Sequence, residues 1–253
     1  MQENIDGVPD DFSVTASFRY VAFFDLLGDA AFQHRQATAA ANSFGMNRYA
    51  RASVLASSLS IECAANCLLD SLNLSKASLN DLDKLSPLSK IEACLLIKNV
   101  AEFDRGKVEV QQISELIRAR NDHVHPKISS IPTEMGKPQD AGKNWLFPMS
   151  LEGENYPHLK IPKRPIFWSS ESSATTLRAI AQFLRYVFID LLRFKEDGFS
   201  EMFRLRIEFA NVRMPVVWDE VFAEFQHLAA DGIDLFFLGS PSDDFQGQGQ
   251  GQG

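Results

Sequence analysis

The sequence predicts an all-α fold, an antiparallel helical bundle broken by one long proline-rich insertion. Apolar residues recur every three to four positions through most of the chain, and helix-start signals stand at several boundaries. Seven of the eleven prolines fall between Pro126 and Pro165. With 253 residues, 45% apolar and 23% charged, the chain can build a sizeable core and has a globular composition. One main domain with extensions is expected, and disordered, collagen-like and elongated coiled-coil chains are excluded.

Residues 1–14 read as an acidic lead-in punctuated by Pro and Gly. Phe18, Val21, Ala22, Leu26 and Ala30 then share helical spacing, giving a first helix that reaches Gly45. A second helix starts at Asn47 as its cap. It carries one stripe of Val54, Ser58, Ile61, Ala65, Leu68 and Leu72 and a neighbouring one of Leu55, Leu59, Glu62, Asn66 and Leu69. Ser86-Pro87 is a cap followed by proline at the first helical position, opening a third helix that runs through Leu88, Ile91, Leu95 and Val100 to about Phe103. A fourth starts near Val108, carries Val110, Ile113, Leu116 and Ile117, and must stop at His125 or one residue earlier, because Pro126 disfavours the α conformation before it. Residues 127–169 form the irregular insertion, with room for short strands. Helical spacing returns from Ser170 to Phe194, then in a short unit over about 200–209 and in a last helix over 217–230. The Gln/Gly repeat at the end has nothing to bury. The expected organisation is a lead-in with a helix over 1–46, a helical domain over 47–196, a helical extension over 197–240 and a flexible tail over 241–253.

The net charge of −8 argues against a sequence-independent DNA coat protein, which needs many phosphate-neutralising cations. The helix after the insertion lies in the one basic region, and its charges serve either as a solvated face or as a phosphate-facing surface. Cys63, Cys67 and Cys94 read as reduced core thiols. Glu3, Asp6, Asp10 and Asp11 stand where a signal peptide would need basic and apolar residues, so the cytoplasm is the expected compartment. Residues 50–72 hold too many polar groups for a lipid-facing span, and no membrane helix is expected. No metal is expected, since the cysteines have neither a CxxC pair nor a histidine at ligand spacing. No P-loop, GxGxxG or GxSxG occurs, and nothing implies a cofactor.

The fourth helix concentrates the chemistry. At 100° per residue Arg120 falls within the stripe of Ile113, Leu116, Ile117 and Val124, where an apolar side chain belongs. A guanidinium there needs a carboxylate, a ligand anion or a wet interface, and Glu62 on the second helix is the candidate carboxylate. Asn121 and His125 are i,i+4 neighbours beside it, so an arginine, an amide and an imidazole converge, a set suited to phosphate chemistry. The residues alone also admit a structural reading, with Arg120 snorkelling from the stripe edge and His125 satisfying the last carbonyls. Asp122 and His123 fall outside the stripe and read as surface residues. The insertion's Trp145, Phe147, Tyr156, Phe167 and Trp168 could stack bases, but packing on the bundle is the expected use.

The run Arg120-Asn121-Asp122-His123-Val124-His125 resembles the R-x4-H motif of the HEPN superfamily, with the polar residue after Arg that its ribonuclease members commonly carry. A shifted match, Arg118 to His123, puts Ala119 in that place and fits less well. The resemblance covers roughly residues 47–196, with the insertion and both extensions outside it. It implies a bundle of four to five helices that forms a homodimer, two motif copies facing one another across a cleft, and cleavage of RNA without metal. His125 would serve in acid/base catalysis, Arg120 would stabilise the phosphorane, Asn121 would orient His125 or bond the phosphate, and Glu62 would orient Arg120. Arg118, His123, Arg178 and Arg185, with Arg193, are the expected RNA-contacting set, and an antitoxin or regulatory protein is a partner the resemblance suggests. The competing expectation is a non-catalytic module of the same type that binds a nucleotide or a protein partner, with Arg120 and His125 kept as a structural or ligand-binding pair.

Overall fold

The computed structural model describes residues 13–239 apart from 101, 129, 131–132, 141, 143–144, 147–148, 151–152, 210–211 and 217–218; the acidic lead-in up to residue 12 and the Gln/Gly tail lie outside the described residues. A helix of 28 residues, α2 (Ser43–Asp70), is the axis on which the other elements pack. Its cap is Asn42 rather than the expected Asn47. Asn42 is extended, and its Oδ1 accepts the Gly45 N–H at 2.8 Å, so Gly45 is the third residue of a helix and not a break. Asn47 lies one turn inside, where its Nδ2 donates to the carbonyls of Pro165, Ile166 and Trp168 at 2.9, 3.1 and 2.9 Å.

The first helix, α1 (Phe23–Ala39), lies along α2. The face of α2 that receives it is a row of small buried residues, Ser53, Ser57, Ser60 and Ala64, and Ser53 Oγ donates to the Ala30 carbonyl at 2.8 Å. Small side chains let two helix axes approach closely. The stripe expected from Leu55 and Leu59 is not the second buried face, for Leu59 is 37% exposed. Beyond α2 come a short helix, α3 (Lys76–Leu82), then α4 (Pro87–Lys98) and α5 (Val108–Val124). Ser86 and Pro87 open α4 as expected, but it stops at Asn99, whose left-handed φ of 50° ends it short of Phe103. His125 caps α5 just before Pro126, where the sequence predicts the end.

After the insertion, Ser169 starts α6 (Ser170–Leu184) with a reciprocal capping box, and the helix widens into a π segment over Arg185–Leu191. Two further helices follow, α7 (Glu196–Phe203) and α8 (Asp219–Ala230). Helix outweighs strand by 61% to 9%, so the fold is mostly α. The all-α expectation is corrected by a small antiparallel sheet. Its strands are β1 (Ser17–Arg19), β6 (Leu205–Phe209) and β7 (Val212–Val216), in the order β1-β6-β7. Phe18 therefore belongs to a strand opposite Ile207, not to the first helix, and the expected helical extension contains a hairpin. The pairing joins segments almost 190 residues apart, for which no local pattern exists. Pro215 is tolerated because β7 is an edge strand. Within the insertion lie two two-stranded ribbons, β2 (Glu134–Met135) with β5 (Met149–Ser150) and β3 (Gln139–Asp140) with β4 (Trp145–Leu146).

One hydrophobic cluster takes in Phe23 of α1, Ile61 of α2, Leu116 of α5, Phe188 of the π segment, Phe225 of α8 and Leu238 beyond it. Both extensions therefore share a core with residues 47–196. By length and composition α2 could cross a membrane, yet most of its apolar stretch is buried inside the bundle.

The second half of the insertion is a plug on α5. Residues 153–168 fold back through an Asn155–Pro162 bridge, and Glu115, buried on α5, accepts the backbone N–H groups of His158 and Leu159 at 2.9 and 2.7 Å. Tyr156 and Trp168 are 2% and 1% exposed, so these two aromatics pack on the bundle, and the Trp168 indole N–H is met by the Pro162 carbonyl at 2.7 Å. Removing the amide that holds the plug's last turn, Asn47→Ala, is expected to cost about 1–3 kcal/mol in urea denaturation. Trypsin should also cut earlier at Lys160 and Lys163; an unchanged midpoint and cleavage rate would show the three bonds are not retained in solution.

Candidate functional site at the end of helix α5

Buried Val110, Ile113, Leu116 and Ala119 turn α5 into the core, so residues one position beyond the stripe lie at its edge. Arg120 stands there rather than mid-stripe, its side chain 27% exposed, facing α2. Its Nη2 donates to Glu62 Oε2 at 2.7 Å and its Nη1 to Asn121 Oδ1 at 2.9 Å. Glu62 and Arg120 thus meet, and the carboxylate fixes the guanidinium's direction. The Asn121 carbonyl oxygen is occupied by Arg120, which leaves its Nδ2 as an outward donor. His125 is exposed at the helix end, and its backbone N–H bonds the Asn121 carbonyl at 2.9 Å. Among the described residues its imidazole has no hydrogen-bond partner.

His123 does not sit at the surface as its place off the stripe suggests. It is half-buried, its ring centroid 5.7 Å from that of Trp168. Burial and the neighbouring Arg51 hold its imidazole below the ordinary value of 6.5. Asp122 is exposed but accepts the Tyr156 hydroxyl at 3.3 Å, and that phenol is pushed up to about 12, chiefly by burial and then by Asp122. The last turn of α5 therefore has its flank fixed by the plug. Sequence reading missed Arg51 as a member of this neighbourhood, and it expected Trp168 to pack on the bundle without placing it beside His123. Arg51 gives only a polar residue in a helical stripe, and Trp168 is 45 residues from His123, so neither left a local signal.

The expected RNA-contacting set is only partly assembled. Arg118 is exposed on the same helix. Arg178 pairs with Glu171 at 3.4 Å on its own helix, whereas Arg185 bonds Asp234 at 2.9 Å and lies over the Phe237 ring at 4.6 Å, held by the C-terminal extension. Arg193 is exposed beyond the π segment, with a left-handed φ of 57°.

A serine, a histidine and an aspartate also line up elsewhere. His34 Nδ1 is 2.7 Å from Ser173 Oγ, and its Nε2 is 3.2 Å from Asp231 Oδ2. Ser173 is fully buried and its hydroxyl donates to the Ser170 carbonyl at 2.8 Å, so it presents no nucleophile; the chain of bonds ties α1 to α6 and to the end of α8. The cysteines are free thiols: Cys67 and Cys94 are buried and Cys63 half-buried. Burial pushes Cys94 up to about 11. Cys63 is lowered by the hydrogen bond from Cys67, whose own thiol is raised by that bond and by burial. Among the described residues no group of three or more His, Cys, Asp or Glu side chains could hold a metal ion. No family model, no curated protein and no solved structure matches this chain.

The His123 environment has a measurable consequence. The unfolded chain takes up the proton near 6.5, while the folded chain resists it to lower pH, so acidification through that window favours unfolding. Stability is expected to decline as pH falls below 6.5, and His123→Gln should lose that part of the decline. Thermal melts of both proteins at about pH 7.5 and about pH 5.5 check this. Equal declines would show that the imidazole is not desolvated.

Proposed function

We propose that the end of α5 is the half-site of a metal-independent endoribonuclease of the HEPN type, completed when two copies of the chain place their motifs face to face. The observation that carries the reading is the Glu62–Arg120–Asn121 chain of hydrogen bonds, which holds a guanidinium and an amide donor beside the exposed His125. Neither Arg120 nor His125 is shut in a dry core, where RNA could not reach them.

In this reading the 2′-hydroxyl attacks the adjacent phosphorus while His125 takes its proton or protonates the 5′-oxygen that leaves. The P–O5′ bond breaks as the 2′ bond forms, giving a 2′,3′-cyclic phosphate and a 5′-hydroxyl. Arg120 bears on the non-bridging oxygens, where negative charge grows, and Asn121 Nδ2 donates to the same phosphate. Arg51 and Arg118 supply local positive charge on an acidic protein, and RNA enters along that face. The cytoplasm and a toxin, defence or stress role, with an antitoxin or regulatory partner, belong to the same proposal.

A second reading, a helical module that binds a protein partner, is favoured by the apolar residues displayed around the end of α4. Leu96, Ile97 and Val100 are 69%, 51% and 50% exposed. Cleavage of a mixed RNA with EDTA present separates the two. The wild type is expected to leave cyclic phosphate ends, with His125→Ala slower by about 10²–10⁴-fold and Arg120→Ala by about 10²–10³-fold. Equal activity in the folded variants would mean that cleavage comes from another site or a contaminant and would contradict the reading, and no activity in any protein across varied RNAs would favour the binding module.

A further inference from the structure

The other end of α2 carries a second concentration of cations. There the sheet, α4 and α7 enclose a cleft of about 500 Å³ into which Arg19, Lys98, Arg206 and Arg213 project. Strand register explains the arrangement. Arg19 is directly opposite Arg206 across the β1–β6 pair, and Arg213 directly opposite Glu208 across β6–β7. Directly opposed residues of an antiparallel pair share a face, and so do residues two apart on one strand, so all three arginines stand on the same face of the sheet. Like charges directly opposite one another destabilise a sheet unless something negative lies between them.

The protein neutralises only part of this charge. Arg19 bonds Asp70, and Arg206 has Glu208 Oε1 at 2.7 Å from its Nε and the Glu201 carbonyl at 2.9 Å from its Nη1. Arg213 stays 3.7 Å from Glu201 and 3.8 Å from Glu208, too far for hydrogen bonds, with its side chain 66% exposed. Lys98, in the last turn of α4, lines the same cleft and makes no side-chain hydrogen bond among the described residues. Lys98 and Arg213 therefore keep uncommitted donors on one cleft, whose lining sets four cations against the carboxylates of Asp70 and Glu201. Phe194 and Met202 add apolar surface to the same cleft, and its volume is that of a small-molecule site.

We infer that this cleft binds a small phosphate monoester. The dianionic head lies between Lys98 and Arg213, the guanidinium fork taking two oxygens and the ammonium a third, while Arg19 and Arg206 supply the field. The organic body rests on Phe194 and Met202. The site is separate from α5 and stands whether or not that helix cleaves RNA.

The test is a titration of the full chain at low salt, by calorimetry, with adenosine 5′-monophosphate, inorganic phosphate and adenosine. The monophosphate and phosphate should bind saturably and adenosine far more weakly. Lys98→Ala and Arg213→Ala alter exposed side chains and should each weaken the monophosphate by about tenfold or more, the loss of one charge-assisted hydrogen bond. Lys163→Ala, which removes a charge on the insertion, should leave it unchanged. No saturable binding by either phosphate up to about 10 mM, adenosine binding as tightly as its monophosphate, or an equal effect in all three variants would overturn the inference.

Discussion

A long helix with one face of serine and alanine constrains everything else in this structure. Because Ser53, Ser57, Ser60 and Ala64 project little, α1 can lie close along α2, and the polar edges on either side remain available for specific bonds. Those edges carry Asn47 to the insertion, Glu62 to Arg120, Asn66 to Lys90 and Asp70 to Arg19. Lys90 shows how strict the arrangement is: its ammonium is buried, and it is met by Asn66 at 2.7 Å and Asp83 at 2.6 Å. A buried cation without such partners would cost several kcal/mol, on the order of the net stability of a domain. The helix is therefore both core and scaffold, and the elements around it are placed by polar bonds as much as by apolar contact.

The insertion gains its order in the same way. Glu115 is a carboxylate on the buried face of α5, and it is satisfied by two backbone N–H groups of the plug rather than by a cation. Tyr156 and Trp168 add apolar area and settle their own polar atoms on Asp122 and on the Pro162 carbonyl. A segment of little regular structure thus becomes one flank of the α5 terminus, where it shields His123 from water. Arg120 is fixed from the opposite side, by α2. Rigid support on both flanks is what the proposed site would need.

What the sequence made legible follows from how local each signal is. The start of α4 at Ser86-Pro87 and the end of α5 before Pro126 depend on neighbouring residues only, and both were readable. Glu62 could be named as the partner of Arg120 because each breaks a helical stripe, and a broken stripe demands compensation. The cap at Asn42 was missed because Gly45 resembles a stop, although a glycine at the third position accommodates a cap equally well. The small-residue face of α2 was missed because hydrophobicity alone favours Leu55 and Leu59. Sheet pairing between Phe18 and Ile207, the bond from Asn47 to the plug and the shielding of His123 by Trp168 all join distant segments, and one sequence holds no pattern for them.

The central claim is that α2 holds Arg120 in place through Glu62, and a double-mutant cycle on folding stability measures it directly. Glu62→Gln, Arg120→Gln and the double variant would be compared with the wild type in urea denaturation. The pair is partly exposed, so a coupling of about 0.5–1 kcal/mol is expected, shrinking as salt is raised. Additive effects, with no coupling at low salt, would contradict the account, because Arg120 would then be free of α2 and the α5 terminus would lack the support that the proposed chemistry requires.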